Sequence, residues 1–121
     1  MNVNSLIRYS AGLSNVVGIL IFSKFLTNKK LSKLDSLFDI RGNILIILWG
    51  LTYIFTKNTY NNPIMIVFFI EKMLYVFNFI FFDKKIDPKT DFFTKFFIKN
   101  YGYIDLIFGV LFVIQYLFKL K

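Results

Sequence analysis

Four long apolar runs in a chain of only 121 residues leave space for little else. They cover about Leu6 to Phe22, Gly42 to Thr56, Ile64 to Phe82 and Tyr101 to Phe118. Each is near the roughly 20 residues that carry a helix across a hydrocarbon core. A soluble four-helix bundle would show a polar outer face on each helix, and these runs are apolar all round, with isolated polar residues as exceptions. A content of 56% hydrophobic residues, 17 of them Phe, is too apolar for a soluble domain of this size. The fold expected is therefore all-α: one polytopic integral membrane domain, an up-down bundle of four transmembrane helices with lipid as its solvent. The second run is the shortest, about 22 Å at ~1.5 Å per residue, so either it extends back through Ile40 or Phe38 or the bilayer thins locally around it. No basic stretch precedes the first run, Arg8 lies inside its start and no small-x-small site follows, so it is expected to stay in the mature protein rather than be cleaved as a signal.

The connections carry the charge. In "KFLTNKKLSKLDSLFD" (Lys24 to Asp39), Leu31, Leu34 and Phe38 recur at helical spacing. In "DFFTKFFIKN" (Asp91 to Asn100), Phe92, Phe93, Phe96 and Phe97 share one face and Lys95 and Lys99 another. Both read as short interfacial helices in loops 1 and 3, apolar side toward the acyl boundary. "KNTYNNP" (Lys57 to Pro63) reads as a tight polar turn.

Loops 1 and 3 hold ten basic residues: Lys24, Lys29, Lys30, Lys33, Arg41, Lys84, Lys85, Lys89, Lys95 and Lys99. The other side holds four, Arg8, Lys57, Lys119 and Lys121. The positive-inside rule then puts both long loops in the cytoplasm, with the protein in the inner (cytoplasmic) membrane. The net charge of +8 flanks apolar spans instead of gathering on a soluble face, which indicates a bilayer surface and no nucleic-acid partner.

The chain has no Cys, and no His either. That removes disulfides, thiolate and imidazole metal sites, the usual haem ligands and any Ser-His-Asp triad. No metal site is expected.

Chemistry must then come from polar residues within the spans. In "VFFIEKMLYVFNFIFF" (67 to 82), Glu71 and Lys72 stand side by side. The thirteen Leu, Ile, Phe and Val residues of the third span favour insertion by roughly −4 to −8 kcal/mol, and two central charges cost about +5 to +7 kcal/mol. With these nearly cancelling, the span depends on partners in other helices. Adjacent helical residues point about 100° apart, so the two do not face each other.

Glu71, Tyr75 and Asn78 form one stripe with Lys72 to its side. In the first span Arg8, Gly12 and Asn15 share a face beside a small-residue path of Ala11, Ser14 and Gly18. In the second, Trp49, Tyr53 and Thr56 align. In the fourth, Gly102, Asp105, Gly109, Phe112 and Tyr116 align. Depth along the helices predicts a contact between Arg8 and Glu71. Asp105, entering from the other side, is expected near Asn78, at a second polar level with Tyr101 or a loop Lys. For Lys72 the sequence leaves Asp105 and Tyr53 both open. The candidate ligand- or proton-handling residues are Glu71, Lys72, Arg8, Asp105, Tyr75, Asn78, Asn15, Trp49 and Tyr53. The bland alternative is an ion-pair network that only fixes helix register.

The segment "LIRYSAGLSNVVGILIFSKFL" (Leu6 to Leu26) resembles the start of DoxX-like small bacterial membrane proteins, with Arg8, Gly12, Gly18 and Lys24 standing in the order of that pattern. The resemblance implies a four-helix integral membrane fold, some of whose relatives are associated with quinone-linked sulfur oxidation or redox complexes. With no Cys or His, no enzymatic role carries over. Small multidrug transporters have a similar length and span count, but their acidic residue is in the first helix, where this chain has Arg8.

Three readings follow in order. The first is a non-catalytic binding or accessory subunit, its buried polar cluster holding its helices and a lipid or quinone headgroup, partnered by another membrane protein. The second is a small proton- or cation-coupled transporter or channel that uses Glu71, as a homo-oligomer. The third is a cofactor-free membrane enzyme with Glu71 or Asp105 as general base.

Overall fold

The computed structural model describes residues 2–81 and 88–120. Phe82, at the end of the third predicted span, and the loop cations Lys84 and Lys85 lie outside the described residues, as does Lys121. The described chain is all-helical: α1 (Val3–Phe22), α2 (Lys29–Leu34), a 3-10 turn (Ser36–Phe38), α3 (Ile40–Phe55), α4 (Ile64–Phe81) and α5 (Phe92–Leu117). Three helices, α1, α4 and α5, are long and apolar enough to cross a membrane, and the apolar α3 has 16 residues. α3 begins at Ile40, so the run does extend back.

Asn and Asp side chains start every helix, as short polar acceptors should. Asn2 accepts the Ser5 N–H, Asn28 that of Leu31, Asp39 that of Gly42, Asn62 that of Ile64 and Asp91 that of Thr94. Exposed Thr52 and half-buried Thr56 donate their hydroxyls to the carbonyls of Leu48 and Thr52 at 2.8 and 2.7 Å, so each hydroxyl is satisfied by the backbone one turn back. Much of the outer surface is apolar, with Leu13, Leu48, Leu74 and Ile107 each more than half exposed.

The long helices pack as two close pairs, α1 with α3 and α4 with α5, and α1 touches α5 over a shorter stretch. Gly12 and Gly50 make the first crossing. A Cβ on Gly50 would stand 2.7 Å from the Asn15 Cβ and 2.8 Å from the Gly12 carbonyl oxygen, so only Gly lets these backbones approach so closely. In the second pair Gly109 receives Met73 and Gly102 receives the Phe79 ring. Side chains then join the pairs: Tyr53 of α3 lies against Phe68 of α4 and Phe112 of α5, at centroid distances of 4.8 and 4.9 Å.

Polar contacts gather the connections at two ends. At one, Lys24 pairs with Asp91 at 3.7 Å and the Asn28 amide donates to the Thr94 hydroxyl at 2.9 Å. At the other, Asn4 accepts from the Thr59 hydroxyl at 2.6 Å and from the Gln115 amide at 2.6 Å, and the Asn61 N–H donates to the Tyr116 carbonyl at 2.9 Å.

Two expectations are corrected. Loop 3 does not hold a separate interfacial helix: its Phe92 to Asn100 segment is the first part of α5, 26 residues long. Nothing from Phe92 onward breaks a helix, so the turns run on, to about 39 Å. The apolar side of the loop 1 segment does not face the acyl boundary either. Leu31 and Phe38 are 0% and 2% exposed, packed on Ile19, Ile46, Ile98 and Tyr101. The bundle end offers more apolar contact than a bilayer surface does, so the segment folds inward.

Candidate functional site

One polar cluster draws on all four long helices. Glu71 and Lys72 enter from α4, Asn15 from α1, Tyr53 from α3 and Asp105 from α5. The Lys72 ammonium donates to Asp105 Oδ1 at 3.1 Å and to Asn15 Oδ1 at 2.9 Å, and lies 5.1 Å from the centre of the Tyr53 ring. The Asn15 amide donates in turn to the Ile46 carbonyl at 3.2 Å. This gives one buried cation a carboxylate, an amide oxygen and an aromatic face, the compensation that a charge out of water requires.

Glu71 is placed differently. Its Oε2 accepts a short hydrogen bond from the Tyr53 hydroxyl. Its Oε1 is buried and has no hydrogen-bond partner among the described residues. A buried carboxylate oxygen left bare is costly, so this atom stands out in an otherwise paired cluster.

The expected contact between Arg8 and Glu71 is not formed. The Arg8 guanidinium donates to the Ile54 carbonyl at 2.7 Å and to the Ser5 hydroxyl at 3.2 Å. Arg8 lies on the α1–α3 seam, where the peptide oxygen of Ile54, in the last turn of α3, is nearer than any carboxylate. Depth along the helix axes is compatible with an Arg8–Glu71 pair; rotation about them is not. The alternatives for Lys72 are both realised, since it reaches Asp105 and the Tyr53 ring together. Asp105 consequently belongs to the Lys72 level and not to a level with Tyr101 or a loop Lys.

The second polar level exists with a different acid. Asp35, between α2 and the 3-10 turn, accepts from the Asn78 amide at 2.6 Å and the Tyr101 hydroxyl at 3.1 Å. Asn78 also donates to the Tyr101 oxygen at 2.8 Å, so Asn78 leaves the Glu71–Tyr75 stripe for this neighbour. Asp35 was missed because it stands in a connecting segment. Its signal was the apolar frame "LDSLF", in which one acid between buried Leu31 and Phe38 has to turn inward. Asn43, buried on α3, was missed too, as one polar residue in an apolar run. Trp49 packs edge-on to Phe68 at a centroid distance of 5.9 Å and takes no part in the polar cluster.

Beside the cluster lies a cavity of about 80 Å³. Asn15, Glu71, Lys72 and Asp105 supply its polar wall, and Phe38, Tyr75, Phe97 and Tyr101 its aromatic one. Ser14, Gly18, Ile19 and Phe22 of α1, Ile46 of α3 and Ile104 of α5 complete it, and it lies beside the looser α1–α5 contact. A Cβ on Gly18 would meet nothing within 4 Å. Of the predicted candidates, the cavity brings together Asn15, Glu71, Lys72, Tyr75 and Asp105. Arg8, Trp49, Tyr53 and Asn78 do not line it.

Among the described residues no group of three or more acidic side chains is set to hold a metal ion. The arrangement can accept a proton or a positively charged or hydrogen-bond-donating group at Glu71. The chain matches no protein-family model, and neither a curated protein nor a solved structure matches it.

Proposed function

We propose that this chain is a four-span protein of the inner membrane with up-down topology, loops 1 and 3 in the cytoplasm, and that it acts as a non-catalytic binding or accessory subunit whose cavity holds a small polar headgroup. The observation that carries this reading is that Glu71, which lines an otherwise charge-matched cavity, keeps a buried Oε1 with no hydrogen-bond partner among the described residues. The likeness of the first span to DoxX-like proteins supports the same architecture. A volume of about 80 Å³ is small beside the roughly 300–1,000 Å³ of pockets for drug-sized molecules. It favours a lipid headgroup over a substituted quinone ring.

Native mass spectrometry of protein released from its own membranes tests this. A retained small adduct is expected for the wild type, and its loss for Gly18→Leu, which fills the cavity without altering a charge. No adduct on the wild type, or the same adduct on Gly18→Leu, would overturn the reading. A second reading, a small transporter, is favoured by the same unpartnered oxygen, since a carboxylate that exchanges proton for cation needs an acceptor not already engaged. Flux into liposomes that vanishes in Glu71→Gln would replace the first reading by the second.

A further inference from the structure

We propose that the group held in the cavity is a primary ammonium, with Glu71 as its counter-ion; this rests on the headgroup-binding reading above and names the chemistry of the headgroup. Four observations converge. The first is charge. Lys72 is matched by Asp105 at 3.1 Å, so with all three groups ionised Glu71 is the odd charge of the cluster. Arg8, the buried cation of α1, is committed to the Ile54 carbonyl and the Ser5 hydroxyl. An unmatched carboxylate in a low-dielectric interior calls for a cation.

The second is hydrogen bonding. Glu71 Oε1 lacks a donor among the described residues, and an ammonium N–H supplies both the donor and the charge in one group, as a quaternary ammonium does not. The third is the opposite wall. Phe38, Tyr75, Phe97 and Tyr101 line it, an aromatic wall that brings no second cation to compete for Glu71 and whose ring electrons favour a cation nearby. The fourth is what the site lacks for a bare metal ion: with Asp105 engaged, one carboxylate remains, too few hard ligands for Na⁺ or a divalent ion. The cavity volume matches an alkylammonium of a few heavy atoms.

Such an ammonium has two sources, the headgroup of an aminophospholipid reaching in between α1 and α5, or a free short-chain amine. The test uses the purified full-length protein in phosphatidylcholine nanodiscs, titrated with ethylammonium chloride at constant ionic strength and read by its unfolding midpoint. Ethylammonium is expected to raise the midpoint saturably, and NaCl and tetramethylammonium are not. Glu71→Gln and Gly18→Leu are each expected to weaken the response at least tenfold. Gly18→Leu leaves every charge in place, so the test stands if Glu71→Gln does not fold.

Replacing part of the phosphatidylcholine by phosphatidylethanolamine separates the sources. A raised midpoint with no further response to ethylammonium assigns the lipid amine; an unchanged midpoint with the response intact assigns a free amine. Equal responses to ethylammonium, Na⁺ and tetramethylammonium, or an undiminished response in both variants, overturn the proposal. A native adduct that contains no amine overturns the ammonium assignment while leaving the headgroup-binding reading standing. No adduct and no response remove both.

Discussion

Lys72 is 1% exposed and has three kinds of partner, and that pairing governs what substitution does to it. Lys72→Met strips Asp105 of its counter-charge and Asn15 of its donor, with an expected cost of about 3–5 kcal/mol, as when one partner of a buried pair is removed. Lys72→Met with Asp105→Leu should recover most of that loss, measured as unfolding free energy in detergent; strict additivity would sink the pairing. The contrasting cycle is Arg8→Gln with Glu71→Gln. Because these side chains do not touch, their effects should add to within about 0.5 kcal/mol, whereas Tyr53→Phe with Glu71→Gln should show clear coupling. The difference marks how far the sequence could be read at this scale. That Glu71 and Lys72 need neighbours follows from the cost of burying them. Which neighbour each finds depends on how the helices are rotated against one another, and nothing in residue spacing within one helix fixes the rotation of the next.

The backward extension of α3 to Ile40 and the start of α4 at Ile64 are legible, but α1 starts at Val3 and α5 at Phe92, ahead of the expected Leu6 and Tyr101, and the close approach falls at Gly12 and Gly50 and not along the expected path through Gly18, where a Cβ would meet nothing. The continuity of α5 is not seen when the segment is split by its charges: Lys95 and Lys99 suggest an interface, but they do not stop a helix. Glycine substitutions test the crossings. Gly50→Ala forces a Cβ to 2.7 Å from the Asn15 Cβ and 2.8 Å from the Gly12 oxygen, and should destabilise by about 1–3 kcal/mol through overpacking. Gly18→Ala enters open space and should be neutral or stabilising by up to about 1 kcal/mol from helix propensity. Equal effects at the two positions would show that the α1–α3 crossing is not as close as described. At the start of α5, partial burial of Asp91 works against its charged form. The Thr94 N–H and hydroxyl, and then the Lys24 ammonium, outweigh that and hold the carboxyl below its usual range. A lowered carboxyl contributes stability above its unfolded pKa of about 4 and loses it as pH falls through the lower folded value. Asp91→Ala should therefore cost about 0.5–2 kcal/mol at pH 7, and that difference from wild type should shrink below about pH 4; a gap constant with pH would assign the loss to packing alone.

At the scale of the whole molecule, the connections are sorted into two sets. Lys24, Asn28, Asp91 and Thr94 meet at one end, and Asn4, Thr59, Asn61, Gln115 and Tyr116 at the other. That sorting is what an up-down bundle produces, and among the described residues Lys24 and Lys89, with Asp91, belong to the connections at the first end, the end that the proposed orientation puts in the cytoplasm. The cavity lies toward the same end, since Phe38 and Phe97 close it, so a lipid headgroup would approach it from the cytoplasmic leaflet. The chain contains no Cys, so single introduced thiols report sidedness without background. Thr27→Cys and Pro88→Cys sample the basic loops and Asn58→Cys the short turn, and none of the three removes a charge. In intact bacterial cells a membrane-impermeant maleimide should label Asn58→Cys and spare the other two until the cells are broken. Labelling of Thr27→Cys and Pro88→Cys with Asn58→Cys spared would invert the orientation and move the cavity to the outer leaflet. Labelling that separated Thr27→Cys from Pro88→Cys would break the up-down arrangement itself. In that event Lys24 and Asp91, which meet in one folded chain, could not share one side of a bilayer.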